Sequence, residues 1–146
     1  PLTARLFGPP AQGLARKIFI YCAVIEPQKQ AALEARGATV ICLPGPQGKV
    51  DLAAILRDLG QREVNELHLE AGHKLNGSFI REGLVDELLL YLAPLLLGSG
   101  GHGMAGFGPL QTLEDGTKLA FHAIDPVGED LRIVARVRGH DAFLHP

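Results

Sequence analysis

Hydrophobic and polar positions change period along the chain, and the changes mark its elements. The segment KIFIYCAV (Lys17 to Val24) is dense in β-branched and aromatic residues, which predicts a strand buried on both faces. Glu26 and Pro27 then open a helix that should run to about Arg36. Pro27 sits early, where its missing N–H costs little, and Gly37 is placed to end the helix. TVICLP (Thr39 to Pro44) is the next predicted strand, closed by the turn GPQGK. Beyond it Asp51 can cap a helix whose apolar residues Leu52, Ile55, Leu56 and Leu59 recur at helical spacing. NELHLE (Asn65 to Glu70) reads as a short strand, HKLNGSFIRE as a helix ended by Gly83, and DELLLYLAP (Asp86 to Pro94) as another strand. This alternation predicts an α/β fold with a largely parallel sheet and helices on its faces.

The last third differs. LAFHAI and LRIVARV are strand candidates joined by DPVGED, and in the second Leu131, Ile133, Ala135 and Val137 share one face while Arg132, Arg136 and Arg138 share the other. An antiparallel hairpin at or near a sheet edge is expected. Between them and the preceding strand lies LGSGGHGMAGFGPL (Leu97 to Leu110), glycine-rich and without periodicity, which suggests a flexible surface loop. No internal repeat is present.

Composition narrows the functional classes. A chain of 146 residues, 47% apolar and 21% charged, suits one soluble globular domain with a single core. Its net charge of −2 gives no basic excess, so nucleic acid is not an expected partner. The longest apolar run, Leu88 to Leu97, is broken by Tyr91 and Pro94 and falls short of a membrane span. Nothing resembles a signal peptide, and Cys22 and Cys42, in strand-like contexts, suit buried thiols of a reducing cytoplasm better than a disulfide framework. The chain begins at Pro1, without an initiator Met, in a segment that reads as the tail of an element, so a fragment is expected.

Candidate chemistry gathers in LHLEAGHKLNG (Leu67 to Gly77). Ligands of open α/β sheets sit beyond the carboxyl ends of strands, and Glu70 occupies such an end. Ala71 and Gly72 leave room for a ligand to approach the backbone, and the N–H groups of the helix starting near His73 offer an anion site. A carboxylate repels phosphate, so Glu70 suits a polar part of a ligand, such as ribose hydroxyls or a base N–H. The competing explanation is structural: Glu70 caps the helix, and Gly72 permits a tight turn.

Sharper motifs fail. Gly72-x-x-x-x-Gly77-Ser78 has Ser where a phosphate-binding P-loop needs Lys. His68-x-Glu70 imitates half of a zinc deaminase site, but no Pro-Cys-x-x-Cys follows, and no metal is assigned. There is no G-x-S-x-G elbow. Of the six histidines only His73 adjoins the candidate site. His68 and His122 fall in predicted strands, His102 in the glycine-rich loop, and His140 and His145 in a polar tail.

The segment LHLEAGHKLNGSFIREGLVDELLLYLAPLLLG (Leu67 to Gly98) closely resembles the C-terminal reductase domain of the bifunctional riboflavin-biosynthesis deaminase-reductase family. That family's pattern is a strand, E-G-G or E-A-G, a helix, L-V-D-E-L, and a strand ending A-P-x-L-L-G. The likeness extends back through AALEARGATVICLP and KVDLAAIL and forward, more weakly, into VGEDLRIVARV. The resemblance implies a dihydrofolate-reductase-like fold and a homodimer. It also implies NADPH-dependent reduction of a phosphoribosylamino-pyrimidine, with hydride reaching the ribose C1′ and opening the sugar to a ribityl chain. Residue by residue, the family's glutamate falls on Glu70, implied to contact substrate. Its glycine turn and helix start fall on Gly72, His73, Lys74, Leu75, Asn76, Gly77 and Ser78, implied to hold the NADPH phosphates. Lys74 and Asn76 can add charge-assisted or amide contacts, or simply form an exposed helix face. Asp86 and Glu87 also match, but at a strand entry they suggest structural hydrogen bonding. No catalytic residue is assigned.

The departures are as informative. The zinc deaminase domain and the front of the reductase domain have no counterpart here. The chain is therefore expected to be about two thirds of a reductase domain, lacking the nicotinamide pocket, much of the substrate phosphate site, the acidic residue that the family places just ahead of PLTARL, and hence turnover of its own, with a sheet edge open to pairing. The alternative is a non-catalytic nucleotide-binding or oligomerisation module on the same fold.

Overall fold

The computed structural model describes residues 2–8 and 16–140, so Pro1 and His145 lie outside the described residues. The chain divides into two compact units, Pro1–Leu67 and His68–Pro146.

The first unit is a strand-helix-strand crossover followed by a second helix. Strand β1 (Ile18–Cys22) pairs in parallel with β2 (Ala38–Cys42), from Ile18 opposite Ala38 to Cys22 opposite Cys42. Helix α1 (Pro27–Glu34) makes the crossover, with Pro27 at its first position; Gly37, at φ 84°, turns the chain into β2. Every residue of β1 is half-buried, not buried on both faces as its composition suggests. Among the described residues β1 has a ladder partner on one side only. Cys22 and Cys42 are free thiols on directly opposed residues, and burial, then the neighbouring Cys42 thiol, push the Cys22 pKa up.

Helix α2 (Leu52–Gln61) starts where the pattern places it, with the Asp51 carboxylate accepting the Ala54 N–H at 2.8 Å. Such a cap contributes about 1 kcal/mol. The other end of α2 is tied to β1: the Tyr21 hydroxyl donates to Asp58 Oδ2 at 2.7 Å, Arg62 Nε donates to the same oxygen at 2.7 Å, and the Arg62 guanidinium lies 4.7 Å over the Phe19 ring.

The second unit holds helix α3 (His73–Arg81) and an antiparallel sheet of β3 (Glu87–Leu92), β4 (Leu119–Val127) and β5 (Asp130–Val137), in the order β3-β5-β4. Phe79 of α3 and Ala135 and Val137 of β5 are among its buried apolar residues. Gly83, at φ 66°, ends α3, and the Leu84 N–H reaches back to the Phe79 carbonyl at 2.9 Å. The hairpin is tighter than the sequence suggests. The strands run through DPV, leaving Gly128 and Glu129 as the turn, with Gly128 at φ 64° as the first central residue of a two-residue hairpin loop requires. Pro126 is tolerated because β4 lies at the sheet edge. A bulge between Phe121 and Ala123 keeps Phe121 and Ile124 on one face, opposite Ala135 and Ile133.

Two expectations are corrected. Asn65 to Glu70 is not a strand: its alternating pattern finds no ladder among the described residues. Parallel pairing is confined there to β1 and β2, because β3 pairs antiparallel with β5. Asp86 and Glu87 have structural partners at that pairing: the Asp86 carbonyl accepts the Val137 N–H at 2.9 Å, and Glu87 Oε2 accepts Arg136 Nε at 3.1 Å.

Candidate functional site

The candidate site lies wholly in the second unit, at the start of α3. Gly72 is the N-cap, and among the described residues no side chain accepts the first-turn N–H groups. The Gly72 carbonyl takes the N–H groups of Leu75 and Asn76 at 3.0 and 3.1 Å, which leaves those of His73 and Lys74 ahead of the intrahelical ladder. Two free donors and the positive end of the helix dipole thus meet where the exposed Lys74 adds a cation.

Neither structural explanation of Glu70 and Gly72 holds. Glu70 does not cap α3; its side chain is 86% exposed, with His68 Nε2 at 3.6 Å. Gly72 has φ −79°, open to any residue, and a Cβ built on it meets nothing within 4 Å. Local packing does not require glycine there, whereas a side chain would occupy the space a ligand needs to reach the N–H groups.

The other predicted residues separate into groups. Lys74 and Leu75 are exposed. Ser78 is engaged within the helix, its Oγ donating to the Lys74 carbonyl at 3.2 Å and accepting from Arg81 at 3.1 Å. His73, Asn76 and Gly77 instead meet the glycine-rich loop. His73 Nδ1 is 2.8 Å from the Gly103 carbonyl, Asn76 Nδ2 donates to the Met104 carbonyl at 3.0 Å, and the Gly106 N–H donates to the His73 carbonyl at 2.9 Å. Gly77 is buried against the Gly106 backbone so closely that a Cβ would collide with it. Asn76 Oδ1 is buried without a hydrogen-bond partner among the described residues.

The loop's place at the site was not predicted. One signal for it is Gly77 itself, since glycine inside a helix costs about 1 kcal/mol and implies a close approach. Among the described residues no group of three or more His, Cys, Asp or Glu is placed to hold a metal ion. No helix there is long and apolar enough to cross a membrane.

The sequence and fold are similar to those of known proteins. The riboflavin biosynthesis protein RibD of Escherichia coli (strain K12) is 37% identical over 91 residues, 62% of this chain and 25% of that protein. The 5-amino-6-(5-phosphoribosylamino)uracil reductase of Buchnera aphidicola subsp. Acyrthosiphon pisum is 30% identical over 86 residues, 59% of this chain and 42% of that protein. The chain thus spans less than half the length of either relative. Among solved structures, Acinetobacter baumannii RibD, form 1, superposes with a TM-score of 0.73 at 22% identity, over 94% of this chain and 34% of that one, which establishes the mixed α/β, dihydrofolate-reductase-like fold. Residues 4–133 match the family described as the RibD C-terminal domain, and the chain belongs to that family.

Proposed function

We propose that the protein takes part in riboflavin biosynthesis as an NADPH-dependent reductase acting on 5-amino-6-(5-phosphoribosylamino)uracil. The relatives' names supply the reaction class and the pyrimidine substrate. The observation that carries the cofactor assignment is the uncapped start of α3, fronted by a glycine that its surroundings do not require. These features fit a phosphate of the cofactor. When bound, NADPH supplies the hydride that opens the ribose to a ribityl chain.

The chain's own residues divide the work by charge. The N–H groups of His73 and Lys74, with the Lys74 ammonium, take the anionic phosphate. Glu70, an exposed carboxylate set before that turn, accepts hydrogen bonds from hydroxyl or N–H groups of the substrate. The 1–146 chain is read as one reductase-domain segment acting as a homodimer in the cytoplasm, where Cys22 and Cys42 stay free thiols. The family match across 4–133, which covers most of both compact units, supports the first part.

The test is Gly72→Val. A side chain at this position meets open space in the protein alone, so the variant should fold normally by circular dichroism, yet its Kd for NADPH should rise at least tenfold, about 1.4 kcal/mol. An unchanged Kd in the folded variant removes this turn from the site. NADPH oxidation on the pyrimidine substrate tests the reductase reading, and its absence in a protein that spans the whole family domain would favour the non-catalytic module instead.

A further inference from the structure

We propose that His73 and Asn76 are positioning residues: they latch the glycine-rich loop Gly98 to Gly108 onto the first turn of α3, and the loop's main chain, not these two side chains, walls the cofactor-phosphate site. The wall rests on the reading of that turn as an NADPH site; the latch stands on geometry alone.

The polar atoms of both side chains are committed or unsuited to phosphate. His73 Nδ1 lies 2.8 Å from the Gly103 carbonyl, which only accepts, so Nδ1 carries the proton and spends it on the loop. The other side of the ring is blocked, since Gly106 packs against it where a Cβ would come within 2.8 Å of His73 Cδ2. Asn76 gives Nδ2 to the Met104 carbonyl at 3.0 Å, and its remaining pole, Oδ1, would repel a phosphate oxygen.

The loop depends on these bonds because burial offers it little. Its large apolar residues Met104 and Phe107 remain 56% and 37% exposed. The two side-chain bonds, the Gly106 N–H to the His73 carbonyl and the glycine-on-glycine contact of Gly77 with Gly106 fix the segment Gly103 to Gly106 across the helix start. Two glycines at that crossing let the backbones meet and keep the wall thin.

The experiment combines NADPH affinity with limited proteolysis of the loop in His73→Leu, His73→Asn and Gly106→Ala, each checked for an unchanged circular dichroism spectrum. His73→Leu should expose the loop to protease and raise the Kd for NADPH about tenfold, the scale of one lost hydrogen bond. His73→Asn, whose amide N–H can replace Nδ1–H, should restore both. Gly106→Ala should reproduce the Leu phenotype with His73 intact, and kcat at saturating NADPH should hold while KM rises. Unchanged loop protection in His73→Leu and Gly106→Ala overturns the latch. A raised Kd with the loop still protected, unrescued by Asn, makes His73 a direct ligand and also overturns it. Loss of protection in a protein whose wild type binds no NADPH upholds the latch and sinks the cofactor reading.

Discussion

At the scale of single residues, Glu70 carries the clearest expectation. No donor other than the neighbouring His68, at 3.6 Å, holds its carboxylate among the described residues, so its contribution waits for a ligand. Glu70→Gln keeps the shape and removes the charge. It should lower kcat/KM for the pyrimidine by the equivalent of about 1.5–3 kcal/mol, the range for a hydrogen bond to a charged group, and leave the NADPH Kd nearly unchanged. Lost cofactor affinity with normal turnover at saturation would reverse the assignment. The placement of Glu70 and Gly72 just ahead of α3 was legible in the sequence because it is local to one turn. The loop contacts of His73 and Asn76 were not, because their partners Gly103 and Met104 lie 30 and 28 residues away along the chain and are touched through carbonyls, which leave no mark on side-chain pattern.

Among the elements, the sequence located the three helices and the paired strands to within a few residues, since each has its own period and its own stop signals. It failed at Asn65 to Glu70, where alternation was present but a ladder partner among the described residues was not; a strand is a property of a pair. It also hid the tie between β1 and α2. Burial, then the hydrogen bond to Asp58 and its charge, push the Tyr21 pKa up to about 12, while the hydrogen bonds from Arg62 and then Tyr21 hold Asp58 below its usual range. The signs follow. Tyr21 stabilises the fold fully below its ordinary pKa of 10.0, and that contribution disappears as pH rises through about 12. Asp58 stabilises above the ordinary carboxylate range and loses its contribution as pH falls through its lowered value. In a Tyr91→Phe background, which leaves Tyr21 as the single tyrosine, absorbance at the phenolate band should titrate near 12. Adding Asp58→Asn should lower that midpoint yet keep it above 10, because burial, the largest cause, remains. A midpoint unmoved by the substitution would mean that Asp58 does not act on the phenol.

For the whole molecule, the apolar face of the β5 sheet is buried in one place and exposed in another. Ala135 and Val137 are buried, but toward the other end of the sheet Leu131 and its opposite residue Leu92 are exposed. On the edge strand β4, Phe121 is 70% exposed and shares that face with Ile124 through the bulge. Four large apolar side chains on one sheet face are costly to leave in water, at about 25 cal/mol for each Å² of apolar surface. A second copy meeting this face about a two-fold axis would cover the same residues on both partners. Sedimentation equilibrium at micromolar concentration should therefore give a species near twice 15.6 kDa. Phe121→Asp with Ile124→Asp should return it to the single-chain mass, and because both side chains are exposed within their own chain, the secondary structure should be retained. A wild-type protein that sediments as one species near 15.6 kDa ends the case for the dimer. A dimer that survives both substitutions places its interface elsewhere.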